Sequence, residues 1–234
     1  MNAPTKCAAR PAHGTHDKRT ERSAHSSARA PGNLSAALPL SMLPHDKPPT
    51  AKPLLGGKDL PGPLSLTALS DYGMMTRLDE TNGYQMDHAG TLFGRASIAA
   101  RIAPRNTTVC ALTAAWVWIG GHFPDTVDVI SRSHYRAAVH NRRIRVFNRK
   151  SPREQVMRVG DAHVTTPART ACDLVLLPEY QEYQGNGDAM DQIVVDIMLE
   201  YRVSADDCLD ILERNPFWPR ATFGRELFTA WSRG

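Results

Sequence analysis

The chain has 234 residues, 41% of them hydrophobic, and a formal net charge of +4 at pH 7. No apolar run approaches the ~18 residues that a membrane-spanning helix needs, so no membrane partner is expected and the cytoplasm is the expected location. The cysteines Cys7, Cys110, Cys172 and Cys208 show no C-x-x-C spacing, which argues against zinc and against a disulfide framework. Buried small apolar side chains are the expected role of the last three.

Residues 1–60 hold eight of the 17 prolines and nine Lys/Arg against four acids, and no Phe, Tyr or Trp precedes Tyr72. So few large apolar groups cannot offset the entropy of ordering a chain, which predicts a disordered, basic tail. Residues 64–105 suggest a small helical or α/β unit. "LSLTALSDYG" fits a short helix ending at Gly73, and "GTLFGRASIAARIAP" fits another ended by Pro104. Between them, Asn82-Gly83 in "RLDETNGYQM" is a hairpin signal.

In "NTTVCALTAAWVWIGG", Leu112, Ala115, Trp116 and Ile119 fall on one helical face, and Gly120-Gly121 offers a stop. That stripe places Trp116 in the core and leaves Trp118 as the candidate for partner contact. Two alternating stretches follow, "TVDVIS" and "RRIRVF", the second with Arg143 and Arg145 on an outer face. "QVMRV" and "AHVT" around Gly160 form a predicted hairpin. "DAMDQIVVDIMLEYR" carries a stripe of Ile193, Val194, Ile197, Met198 and Tyr201, and "SADDCLDILER" opens close to a capping box. "TFGRELFTAW" adds a last short helix. A helix, a run of strands and a run of helices predict an α+β fold with a small mixed or antiparallel sheet.

Charge is segregated. Between 131 and 158 nine cations face the single acid Glu154, and between 179 and 213 ten acids face the single cation Arg202. The basic block makes Arg132, Arg136, Arg142, Arg143 and Arg145 candidate nucleic-acid contacts, or else the solvated face of a sheet. The acidic block suits the outside of amphipathic helices, or a mimic of a polyanion.

"GDAHVTTPARTACDL" raises the sharpest question. Thr166 is a good N-cap and Pro167 suits the first helical position. Arg169 then stands in the first turn, where the helix macrodipole opposes a cation by several tenths of a kcal/mol. Asp173 lies four residues on, but Arg before Asp is the poorer order for an isolated helix. Local physics does not select this arginine. A bracing pair with Asp173 or a contact to a partner or phosphate does.

"CALTAAWVWIGG", an Arg-rich stretch, and then "RVGDAHVTTPARTACDL" together resemble the AbiEi-type antitoxins of type IV toxin–antitoxin systems. The resemblance covers roughly residues 106–177 with both motifs in order, and 64–215 more loosely. It implies a winged-helix DNA-binding domain before an antitoxin domain of mixed α/β structure. It also implies repression of the antitoxin–toxin operon and, as partner, a nucleotidyltransferase-like toxin. Thr113, Ala114, Ala115 and Trp116, with Thr165, Thr166, Pro167, Arg169, Thr170, Asp173 and Leu174, fall on the family's characteristic positions. The implied division is a tail at 1–60, a shortened winged-helix-like segment at 61–105 and the antitoxin domain at 106–234. A complete winged helix needs more residues than 64–105 provides, which counts against operator binding.

An enzyme is not expected. A PD-(D/E)xK nuclease would need an acid two residues before Lys150, where Asn148 stands. The histidines lack a helical metal-binding pair, and no G-x-S-x-G, dinucleotide fingerprint or P-loop occurs. No cofactor or metal is therefore expected.

Overall fold

The computed structural model of the chain describes residues 52–60, 65–182 and 188–233. The tail expected at 1–60 lies outside the described residues as far as 51, and its last part, 52–60, departs from the expectation. β1 (Leu55–Gly56) pairs antiparallel with β3 (Asn82–Gln85), and β3 with β2 (Met75–Arg77), giving the order β1-β3-β2. Leu54, Leu55 and Leu60 pack against buried apolar clusters, so three leucines and an open strand edge order this stretch despite its composition.

Between β1 and β2 runs α1 (Leu66–Asp71), capped by Ser65 Oγ, which accepts from Ala68 N at 3.1 Å. The β2–β3 hairpin turns at 78–81 rather than at Asn82-Gly83. Asp79 Oδ1 accepts from the Thr81 and Asn82 amides, both at 2.7 Å, and clamps the turn. Asn82 and Gly83 lie inside β3, where a Cβ on Gly83 would meet the Thr76 carbonyl at 2.7 Å. The dipeptide thus marks a close backbone approach instead of the turn. α2 (Met86–Ala89) and α3 (Leu92–Ile102) follow, and Thr91 caps α3.

The second sheet is mixed, with the order β6-β5-β4-β8-β7. β4 (Thr108–Val109) is antiparallel to β5 (Thr126–Ile130) and parallel to β8 (Ala162–Thr165). β5 runs parallel to β6 (Arg143–Phe147), and β7 (Val156–Val159) pairs antiparallel with β8. Gly160, at φ +57°, supplies the left-handed residue of the β7–β8 turn. The C-terminal run is α5 (Pro167–Val175), α6 (Glu179–Glu182), α7 (Asp188–Glu200), α8 (Ala205–Glu213) and α9 (Ala221–Ser232). The expected α+β class is therefore the observed one. Ser204 and Asp207 form the expected capping box on α8. Val194 and Ile197 of the α7 stripe are fully buried.

α4 (Ala111–Ile119) sits between two apolar cores. On one side Trp116, Val117 and Trp118 join Tyr84, Ile98, Phe123, Val127 and Val164. On the other, Ala111 and Ala115 join the residues of α5, α7 and α8. The single stripe read from the sequence is thus a helix buried on almost every side, as expected when apolar residues surround an element. Trp118 is 2% exposed, against 3% for Trp116, so its assignment to a partner surface is corrected. Leu78 and Tyr84 of the hairpin share the core of Trp116, so apolar packing is continuous across residue 105.

Candidate functional site

β8 delivers the chain to α5 without an intervening loop. Thr166 is extended at φ −56° and ψ 158°, and its Oγ1 accepts from Arg169 N at 3.4 Å. Pro167 occupies the first turn, where its missing N–H costs nothing. The Thr165 and Thr170 hydroxyls lie 2.8 Å apart, and Trp118 Nε1 donates to the Thr165 carbonyl at 2.9 Å. That last bond ties α4 to the junction across 47 residues and satisfies a buried indole N–H.

The arginine that local physics does not select is held by tertiary contacts. Arg169 is fully buried. Its Nε donates to both oxygens of Asp173 at 3.1 Å, and its Nη1 to Gln155 Oε1 at 2.7 Å and to the Lys150 carbonyl at 3.0 Å. The guanidinium carbon lies 4.2 Å from the centroid of Trp218, within cation–π range. A second arginine, Arg149, donates from Nη1 to Asp173 Oδ1 at 2.7 Å and lies over Phe147 and Trp218 at 5.0 and 5.4 Å. Two guanidiniums therefore share one buried carboxylate. Arg169 Nη2 is buried without a hydrogen-bond partner among the described residues.

The first motif builds a second cluster. Thr113 Oγ1 accepts from Asp128 N at 2.8 Å. Asp128 Oδ2 accepts from Leu112 N at 3.0 Å and so caps α4 from the neighbouring strand, in place of Cys110, which offers no cap. Arg145 clasps Asp128 through Nε and Nη2 at 2.7 and 2.8 Å, and reaches Glu179 Oε1 through Nη1 at 2.5 Å. Burial works against the Arg145 charge, but Asp128 and Glu179 outweigh it and hold the guanidinium protonated. Burial pushes the Cys110 and Cys172 thiols well up, consistent with inert core cysteines.

The cationic candidates divide. Arg132, Arg136 and Arg143 are exposed. Arg142 is half-buried and donates to the Pro124, Leu78 and His140 carbonyls while lying 5.3 Å over Phe123. Arg142 and Arg145 are thus internal fasteners, because carbonyls and carboxylates of other segments claim their donors. Of the motif residues, Thr113, Trp116, Pro167, Arg169, Thr170 and Asp173 are buried, and Thr166 is half-buried. Sequence reasoning missed Gln155, Trp218 and the role of Arg149. Its one pointer to them was the misfit of Arg169, which demands partners elsewhere.

A scan against protein-family models finds no match, and a search of curated proteins finds none either. Among the described residues, no helix is long and apolar enough to cross a membrane.

Proposed function

We propose that this chain is a non-enzymatic, antitoxin-like protein of a type IV toxin–antitoxin system, counteracting a nucleotidyltransferase-like toxin and regulating its own operon. The observation that carries the reading is the direct bond between the two resembling motifs, Trp118 Nε1 to the Thr165 carbonyl at 2.9 Å. Segments that resemble a family only in combination are one packed unit here. Asp128 and Asp173, the buried acids that a hydrolytic site would call on, are both engaged by arginines. The test is co-expression with a nucleotidyltransferase encoded beside it. Restored growth is the expected outcome. Unrelieved toxicity in cells holding folded, soluble protein sinks the reading. Because Arg169 is buried, toxin contact falls to exposed groups, and Arg169 acts by holding the fold.

A second reading is a DNA-binding transcriptional regulator without a toxin partner. It is favoured by α1 leading into the β2–β3 hairpin, the order of a helix and its wing, and by exposed Arg132, Arg136 and Arg143. Duplex affinity should then fall steeply with salt. Absence of duplex binding at about 50 mM salt, where phosphate contacts are strong, removes this reading.

A further inference from the structure

β5 and β6 run parallel, with Ile130 beside Phe147 at their carboxyl ends. Here residues 130–133 and 148–152, with Asn106 and Thr108, enclose an open cleft of about 870 Å³. That volume suits a ligand of nucleotide size, since small-molecule sites span roughly 300–1,000 Å³. Arg132, Arg149 and Lys150 line it, together with hydroxyls of Thr108, Ser131 and Ser133. Among the described residues, no Asp or Glu does.

A second observation makes the cleft more than a basic surface. Arg149 is 7% exposed in its side chain, and Arg169 and Asp173 are at 0% and 2%. Two cations thus share one carboxylate in a poorly solvated place, an imbalance that an approaching anion relieves. Glu179 of the neighbouring cluster is bonded to Arg145, whose guanidinium lies over the same Phe147 ring as that of Arg149, 5.4 and 5.0 Å from its centroid, and among the described residues it makes no hydrogen bond to Arg149. Arg149 spends one nitrogen on Asp173, and among the described residues its other nitrogens have no hydrogen-bond partner. Asp173, Phe147 and Trp218 fix its guanidinium. Arg169 Nη1 holds the Lys150 carbonyl at 3.0 Å, anchoring the basic segment to the buried network.

We propose that this cleft binds the phosphate of a nucleotide, whether free or within a nucleic-acid strand. Arg149 is the rigid donor, positioned before the ligand arrives. Arg132 and Lys150, which are exposed and have no ion pair among the described residues, close on the phosphate from solvent. The site is independent of the antitoxin reading and shares Arg132 with the DNA-binding one.

The test is calorimetric titration of the full chain with AMP, with inorganic phosphate and with an oligothymidylate of about ten nucleotides, which is long enough for one single-strand site. The same titrations follow for Arg132→Ala with Lys150→Ala, with the melting temperature measured alongside. AMP binding by the wild type, weakened at least about tenfold in the double variant, supports a free nucleotide. Binding of the oligonucleotide alone, weakened likewise, supports a strand. No binding of either by folded wild type, equal affinity in the variant, or inorganic phosphate bound with AMP excluded overturns the proposal. If the alanine variant does not fold, Arg132→Gln with Lys150→Gln makes the same comparison.

Discussion

Two arginines four residues apart, Arg145 within β6 and Arg149 just past its end, stand in opposite local charge balance. At Arg145 one guanidinium faces two carboxylates, Asp128 and Glu179. At Arg149 two guanidiniums, its own and that of Arg169, face the single carboxylate of Asp173. The first cluster is closed. Its arginine clamps the acid that caps α4 and also takes Glu179 Oε1, while Glu179 Oε2 is buried without a hydrogen-bond partner among the described residues. The second is open, because its surplus is a cation 7% exposed beside a cleft lined by further cations. The same residue type therefore serves a structural joint within β6 and a poised electrostatic site just past it.

The largest effect is expected from removing the shared acid. Asp173→Asn leaves two buried arginines without a counter-charge and should cost about 3–5 kcal/mol in urea unfolding. A loss below about 1 kcal/mol would mean that the acid does not hold the cluster. Next, Arg145→Met strips Asp128 of its clasp and should cost about 3 kcal/mol, whereas Arg149→Met leaves Asp173 paired with Arg169 and should stay within about 1 kcal/mol of the wild type or exceed it. Equal losses in these two variants would break the contrast between closed and open clusters. Trp218→Leu, which removes the ring beneath Arg169, should cost about 1–2 kcal/mol by the same measurement.

Asp79 supplies a smaller ionic comparison away from β6. Burial opposes its ionisation. The contacts from His140 Nδ1 (2.6 Å), the Thr81 and Asn82 amides and the Asn82 side chain outweigh that effect, and they hold the carboxyl well below the usual carboxylate range. A depressed folded pKa contributes stability above the unfolded value of about 3.9 that is lost as pH falls below it. Asp79→Asn should therefore cost about 1 kcal/mol near neutrality, with the gap to wild type shrinking below about pH 4. A gap that widens in acid contradicts this sign. Arg143→Ala, on the exposed side of β6, should change stability by less than about 0.5 kcal/mol.

Much of the architecture was legible where local rules suffice. The 166–167 start of α5, the Gly160 turn, the Ser204–Asp207 box and the α7 stripe each follow from a few adjacent residues and a backbone preference. The α+β class followed from the order of the elements. The hairpin at 75–85 was legible in kind but not in detail, since Asp79 makes the turn through side-chain bonds while Asn82-Gly83 enters the strand. Trp118 was misplaced because a stripe assumes one buried face, and α4 has cores on both sides.

By itself, then, the sequence determined where α5 and α8 begin and where the chain turns between β7 and β8, because capping, proline geometry and glycine at positive φ act within a few residues. It also marked Arg169 as unexplained. The tertiary structure alone decided what that arginine does. Its partners, Gln155 and Trp218, lie 14 and 49 positions away in the chain and meet it only once the sheet and the C-terminal helices have packed. The same holds for the basic block. Periodicity assigns a face to each arginine, but whether a guanidinium meets water, a carbonyl or a carboxylate depends on which segment the fold lays against it.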